Sequence, residues 1–165
     1  MHTLSVPVFK QMLGGLSDIL QKADTHAELK KFEPSALLQA RLYPDMFALT
    51  QQVQVACDFA SSVSARLAGV DVPTSSATEQ SFAELRERIK GVVDFLDGLN
   101  PSAFGASATR EIILRPGTPK EKRLDGQTYL TRYGMPQFFF HVTTAYAILR
   151  HNGVEVGKKD FMGAY

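Results

Sequence analysis

Apolar residues in this chain recur three and four positions apart over four long stretches, and that spacing predicts helices. From Ser5, read as an N-cap with Pro7 in the first turn, the residues Phe9, Met12, Leu13, Leu16, Ile19, Leu20 and Ala23 fall on one face. Gly14-Gly15 interrupts this helix, at a cost of roughly 1 kcal/mol per glycine relative to alanine. The pair leaves space for a neighbouring helix or for a ligand. A second helix is expected to start at Pro44-Asp45. Its seam is Met46, Leu49, Val53, Ala56, Ala60, Val63 and Leu67, and Gly69 ends it. The alternation of three and four is the pattern of left-handed helix packing. The third seam is Phe82, Leu85, Ile89, Val92, Leu96 and Leu99, behind two capping-box patterns, Ser76-x-x-Glu79 and Ser81-x-x-Glu84. Its other face, Glu84, Arg86, Glu87, Arg88 and Lys90, reads as solvated, and Asn100-Pro101 stops it.

The fourth stretch, Pro136–Gly153, is PQFFFHVTTAYAILRHNG. Met135, Phe138, Val142, Ala145 and Leu149 form its stripe, and Phe139, Tyr146 and Ile148 widen it, so burial on several sides is expected. Asn152-Gly153 supplies the stop. Pro136 is read as a kink in a longer helix beginning near Gln127, because Tyr129, Leu130 and Tyr133 already show helical spacing. Between the helices lie a connection at Lys30–Pro44 with a helical piece at Ser35–Ala40, and a Pro/Ser/Thr linker at Val70–Ala77. Within Pro101–Gly126, Arg110–Arg115 predicts a strand, Pro116–Lys120 a turn and Glu121–Leu124 a return strand. After Gly153 the tail is expected to be non-helical, with Phe161 as an anchor. The fold class is therefore all-α, one domain over residues 1–165, with a short β-hairpin inserted before the last helix.

Composition narrows the function. Eighteen basic and seventeen acidic residues nearly cancel, and no basic run occurs, which argues against an electrostatic grip on nucleic acid. No apolar run approaches the ~20 residues of a membrane span. Cys57 is the single cysteine, so no internal disulfide forms, and nothing basic beside it in the sequence favours a thiolate. The expectation is a soluble cytoplasmic protein. His2, His26, His141 and His151 are scattered along the chain. His141 lies beside the apolar seam, one turn from Gln137 and from Ala145. It reads either as a core histidine with a hydrogen-bond partner or as a general base or metal ligand. Ala145 occupies the place of a second helical ligand, which weakens the metal reading.

ARLYPDM at Ala40–Met46, QVQVACDFA at Gln52–Ala60, ARLAGV at Ala65–Val70 and FFFHVTTAYAILRHNGVEVGKKDF at Phe138–Phe161 together resemble the domain-of-unknown-function family nineteen-ninety-three. That family is placed with the DinB/YfiT-like four-helix bundles. The resemblance implies an up-down-down-up bundle, often a homodimer. Many members of the superfamily hold zinc or nickel with three histidines, one on helix 2 and two on the last helix, and some are thiol-dependent transferases or isomerases. Here only His141 matches a last-helix ligand position; Ala145 stands at the second, and helix 2 offers Gln52 or Asp45. The implied topology brings Gln52 and His141 to comparable depth. The leading expectation is a small-ligand pocket lined by His141, Gln52, Asp45, His26 and Gln137, with Gly14-Gly15 in its wall and without the full metal site. The alternatives are a zinc- or nickel-dependent transferase or hydrolase using His141, Asp45 and His26, and a structural module that works by dimerisation.

Overall fold

A computed structural model of the chain describes residues 1–165. Four long helices dominate it: α1 (His2–Lys30), α3 (Leu49–Ala68), α4 (Phe82–Asp97) and α6 (Met135–His151). Shorter elements are α2 (Ser35–Leu38), the strands β1 (Glu111–Leu114) and β2 (Lys122–Asp125), α5 (Gly126–Thr128) and α7 (Lys158–Met162). One continuous hydrophobic core of 35 buried residues joins them, and almost every seam position contributes to it. Val92 and Met135 are only half-buried, at the edges of the stripes.

The helix ends follow local chemistry. Ser81 caps α4: its hydroxyl accepts from the Glu84 N–H, and the Glu84 carboxylate accepts from the Ser81 N–H. Gly69 ends α3 with φ +72°, a left-handed cap that a β-carbon would disfavour. The N-termini differ from expectation. α1 begins at His2, not Ser5, and the Ser5 hydroxyl turns back to the carbonyls of Met1 and His2. α3 begins at Leu49, not at Pro44-Asp45. Proline followed by an acid also suits a turn, and here Arg41 donates to the Pro44 and Met46 carbonyls, which holds the segment as a loop. The tail is not free of helix either. Asp160 accepts from the Gly157 N–H and starts α7, and Phe161 packs edge-on to Tyr146 with ring centroids 5.5 Å apart.

The hairpin pairs Glu111 with Asp125 and Leu114 with Lys122, antiparallel. From Gly126 the backbone stays helical through to His151, by way of a π-helical segment at Tyr129–Gly134, so Gly126–His151 forms one last helix with only the short α7 after it. The Met135 N–H there bonds the Leu130 carbonyl, one residue further back than in an α-helix. Pro136 follows at once, so the wide turn sits where proline cannot supply an N–H. Gly134 lies in this segment against α3, where an added β-carbon would come 2.8 Å from the Val63 Cγ2.

Pairs along the helices fix their relative directions. Lys10 meets Asp97, and both Ser17 and Gln21 meet Arg86, so α1 and α4 run antiparallel. Gln52 meets His141, Phe59 meets Tyr133 and Arg66 meets Tyr129, so α3 and the last helix also run antiparallel.

The glycines make a test of packing. Nothing lies within 4 Å of a β-carbon added at Gly14, whereas one added at Gly126 would sit 1.8 Å from the Ser107 carbonyl oxygen. Gly14→Ala is expected to raise stability by up to about 1 kcal/mol. Gly126→Ala is expected to lower it by about 1–3 kcal/mol or more. Urea unfolding of both variants beside wild type checks the two signs.

Candidate functional site

The groove between α3 and the last helix gathers the chemistry. Gln52 sits in the first turn of α3 and is buried. Its amide nitrogen donates to the Phe47 carbonyl at 3.1 Å, which turns its oxygen the other way. That oxygen lies 2.7 Å from Nδ1 of His141. An amide oxygen only accepts, so Nδ1 carries the proton, and the neutral ring presents Nε2 as an unprotonated lone pair. No protein group bonds Nε2, and it is not among the fully enclosed polar atoms.

Aromatic rings hold the imidazole. Phe47 and Phe59 stack on it at centroid distances of 6.3 and 5.9 Å, tilted by 13° and 15°. Phe140 meets it edge-on at 5.2 Å. Burial among these rings pushes the His141 pKa below its ordinary value of 6.5. The ring is thus neutral near pH 7, oriented by one amide and able to accept a proton at Nε2.

The other expected residues lie elsewhere or further along. Gln137, one turn before His141, faces a cavity of about 430 Å³ under the hairpin, with Phe59, Arg66, Leu114, Arg115, Lys120, Lys122, Tyr129 and Tyr133. Asp45 is exposed in the loop before α3, because that helix starts later than its proline suggested. His26 packs edge-on to Phe32 and lines a surface depression with Lys22, Lys30 and Glu155. Gly14 is exposed, and Gly15 lies under α7, where an added β-carbon would be 3.0 Å from the Asp160 carbonyl oxygen. Gly15 therefore seats the tail, Gly14 faces open space, and neither walls a pocket beside His141.

These positions decide how well a metal fits. His141, Asp45 and His26 do not form one donor set, and no group of three or more His, Cys, Asp or Glu side chains comes together in the chain. One imidazole and one amide oxygen among phenylalanine rings is a poor zinc or nickel site. The residues present do not fit the three-histidine centre.

Sequence reasoning placed two groups wrongly. Arg88, read as solvated, is nearly buried; it pairs with Asp58 at 2.6 Å and Glu79 at 2.8 Å and donates to the Ser76 carbonyl. The signal was Glu79 in the first of the two capping patterns, which serves this arginine instead. Cys57 does have a cation near it, the same Arg88, yet burial wins and pushes its thiol up to about 12. Neither group adds a nucleophile.

Comparison with known proteins agrees with this architecture. The crystal structure of a DinB family member protein from Shewanella denitrificans superposes with a TM-score of 0.93 at 44% sequence identity, covering 99% of this chain and 92% of that one. A helical protein of the DinB-like class is what the fold defines. The family model "Domain of unknown function (DUF1993)" matches residues 1–162, and the chain belongs to that family. A comparison with curated proteins finds no match.

His141 also makes stability depend on pH. Its folded pKa is depressed, so the folded state binds fewer protons than the unfolded chain below the ordinary histidine range. The stability it contributes is present above 6.5 and is lost as pH falls through the folded value. Unfolding free energy measured at about pH 7.5 and about pH 5 is expected to drop more in wild type than in His141→Asn, which keeps a donor for Gln52 and cannot titrate.

Proposed function

We propose that this protein binds a small molecule in the groove between α3 and the last helix, with His141 as the hydrogen-bond acceptor and general base for the bound compound. The observation that carries the reading is the Gln52–His141 pair. A buried amide, itself fixed by the Phe47 carbonyl, selects the tautomer that leaves Nε2 free. A core histidine needing only a hydrogen bond would not require Nε2 to stay unpartnered. Gln52 positions the ring and does not itself react.

The frame suits an up-down-down-up four-helix bundle. The antiparallel pairings of α1 with α4 and of α3 with the last helix are those the topology requires. Nitrogen-15 NMR of the imidazole tests the functional reading. Wild type is expected to show a protonated Nδ1 and a bare Nε2 at His141, and Gln52→Leu to shift the ring toward the Nε2–H tautomer. A wild-type ring already protonated at Nε2 would sink it.

A second observation supports a homodimer. Phe140 and Phe47 are 54% and 43% exposed, large for phenylalanine, and Leu42 (42%) and Tyr43 (66%) are exposed near Phe47 in the chain. Leu42, Phe139, Phe140 and Ala147 line one shallow depression. A second copy of the chain covers this face in our reading. Light scattering is expected to give twice the 18.2 kDa chain mass for wild type and the single mass for Phe140→Glu. A single mass for wild type would rule the dimer out.

A further inference from the structure

The cavity under the hairpin, which shares Phe59 with the ring stack on His141, has an unusual charge. Four cations, Arg66, Arg115, Lys120 and Lys122, line its ~430 Å³ and no carboxylate does. The chain as a whole carries a net charge of only +1, so this concentration does not follow from composition. From these observations we infer that the compound bound in the groove is a small organic anion, its phosphate or carboxylate group set against these four cations and its apolar body laid on Phe59, Tyr133 and Leu114. The inference rests on the groove being a ligand site and names the class of ligand.

The hairpin sorts its charges by face. Alternation along paired strands puts Leu114 opposite Lys122, and both line the cavity. Glu111, Arg123 and Glu121 fall on the other side, where Arg123 pairs with Glu111 at 3.2 Å and with Glu121 at 3.0 Å. The carboxylates of Glu111 and Glu121 are thereby spent on a cation facing away from the groove. Asp125, the remaining acid, accepts from the N–H and hydroxyl of Thr128 and starts α5. Arg115, Lys120 and Lys122 form no ion pair. Like charges gathered without counter-ions repel, and a bound anion relieves that repulsion.

Two further features aim the cations. Arg115 holds φ +51°, a left-handed conformation that costs energy in a residue with a β-carbon. The turn fixes it there: the Thr118 N–H and hydroxyl both donate to the Arg115 carbonyl, and the Glu121 carboxylate accepts from the Gly117 N–H. Arg66 is held from below, donating to the hydroxyl of Tyr129 at 3.2 Å. Burial raises the pKa of that phenol, so it stays neutral and leaves the guanidinium charge unopposed. The arginine forks suit paired hydrogen bonds to two oxygens of a carboxylate or phosphate, and the two flexible lysines can follow its other oxygens.

Calorimetric titration of the full chain at low salt tests this, with inorganic pyrophosphate as the phosphate probe and citrate as the carboxylate probe. Saturable binding of either supports the inference, and the tighter of the two names the oxyanion. Combining Lys120→Gln with Lys122→Gln, both exposed and free of structural contacts, is expected to weaken binding by about tenfold or more, and Arg115→Gln to do likewise. Arg123→Gln removes the same charge from the outer face and is expected to change affinity by less than about twofold. No binding of either anion overturns the inference, and so does an equal loss in Arg123→Gln, which would mean diffuse surface charge. The imidazole NMR experiment is independent: a bare Nε2 with no anion binding removes the ligand class and leaves the groove reading intact.

Discussion

Close approach of α3 to the last helix is the constraint on which the rest of the molecule depends. Gly134 lets the backbone of the last helix lie against the Val63 side chain, because a β-carbon there would collide with the valine methyls. Either side of that contact, residues come together in antiparallel order: Gln52 with His141, Phe59 with Tyr133, Arg66 with Tyr129. The three α3 positions are seven residues apart, so they share one face by the ordinary period of a packed helix. The hairpin then lies over the far end of this groove. Arg110 ties its start to the carbonyls of Leu67 and Arg66, the last turn of α3.

Buried polarity divides into two kinds of site. Around Arg88 every charge has an opposite: burial would raise the Glu79 pKa, but hydrogen bonds from its own backbone N–H, from Arg88 and from Gln54 together lower it. That cluster fastens the Pro/Ser/Thr linker to α3 and α4 and is structural. The groove behaves in the opposite way. His141 is neutral with one nitrogen unclaimed, and its cations lack acids.

Most of the fold was legible in the sequence because it is written in period. The seams of α1, α3, α4 and α6 are buried almost position for position, and β-branched residues between turn signals located the hairpin. What period does not encode was harder. Pro44-Asp45 fits a helix start and a turn equally well, and only the long-range donor Arg41 decides between them. Arg88 looks solvated on its own helix and is buried by a linker from outside it. Of the candidate site, Gln52, His141 and Gln137 lie along one groove, whereas His26 and Asp45 lie outside it. The cations over the groove escaped notice because they come from three separate elements, and no contiguous run announces them.

The π-helical segment at Tyr129–Gly134 sets the angular phase of everything after it. A wide turn of this kind carries one residue more than the α-helical path it replaces. Each residue of an α-helix rotates its successors by about 100°. The extra residue therefore works as a key cut into the helix. With it, Tyr129 and Tyr133 face α3 on one side of the turn and His141 faces α3 on the other. A strictly α-helical path over the same distance would carry His141 round by about that angle, off the groove and away from Gln52. The histidine's address is thus fixed two turns upstream of the residue itself, by a break in helical regularity rather than by its immediate neighbours.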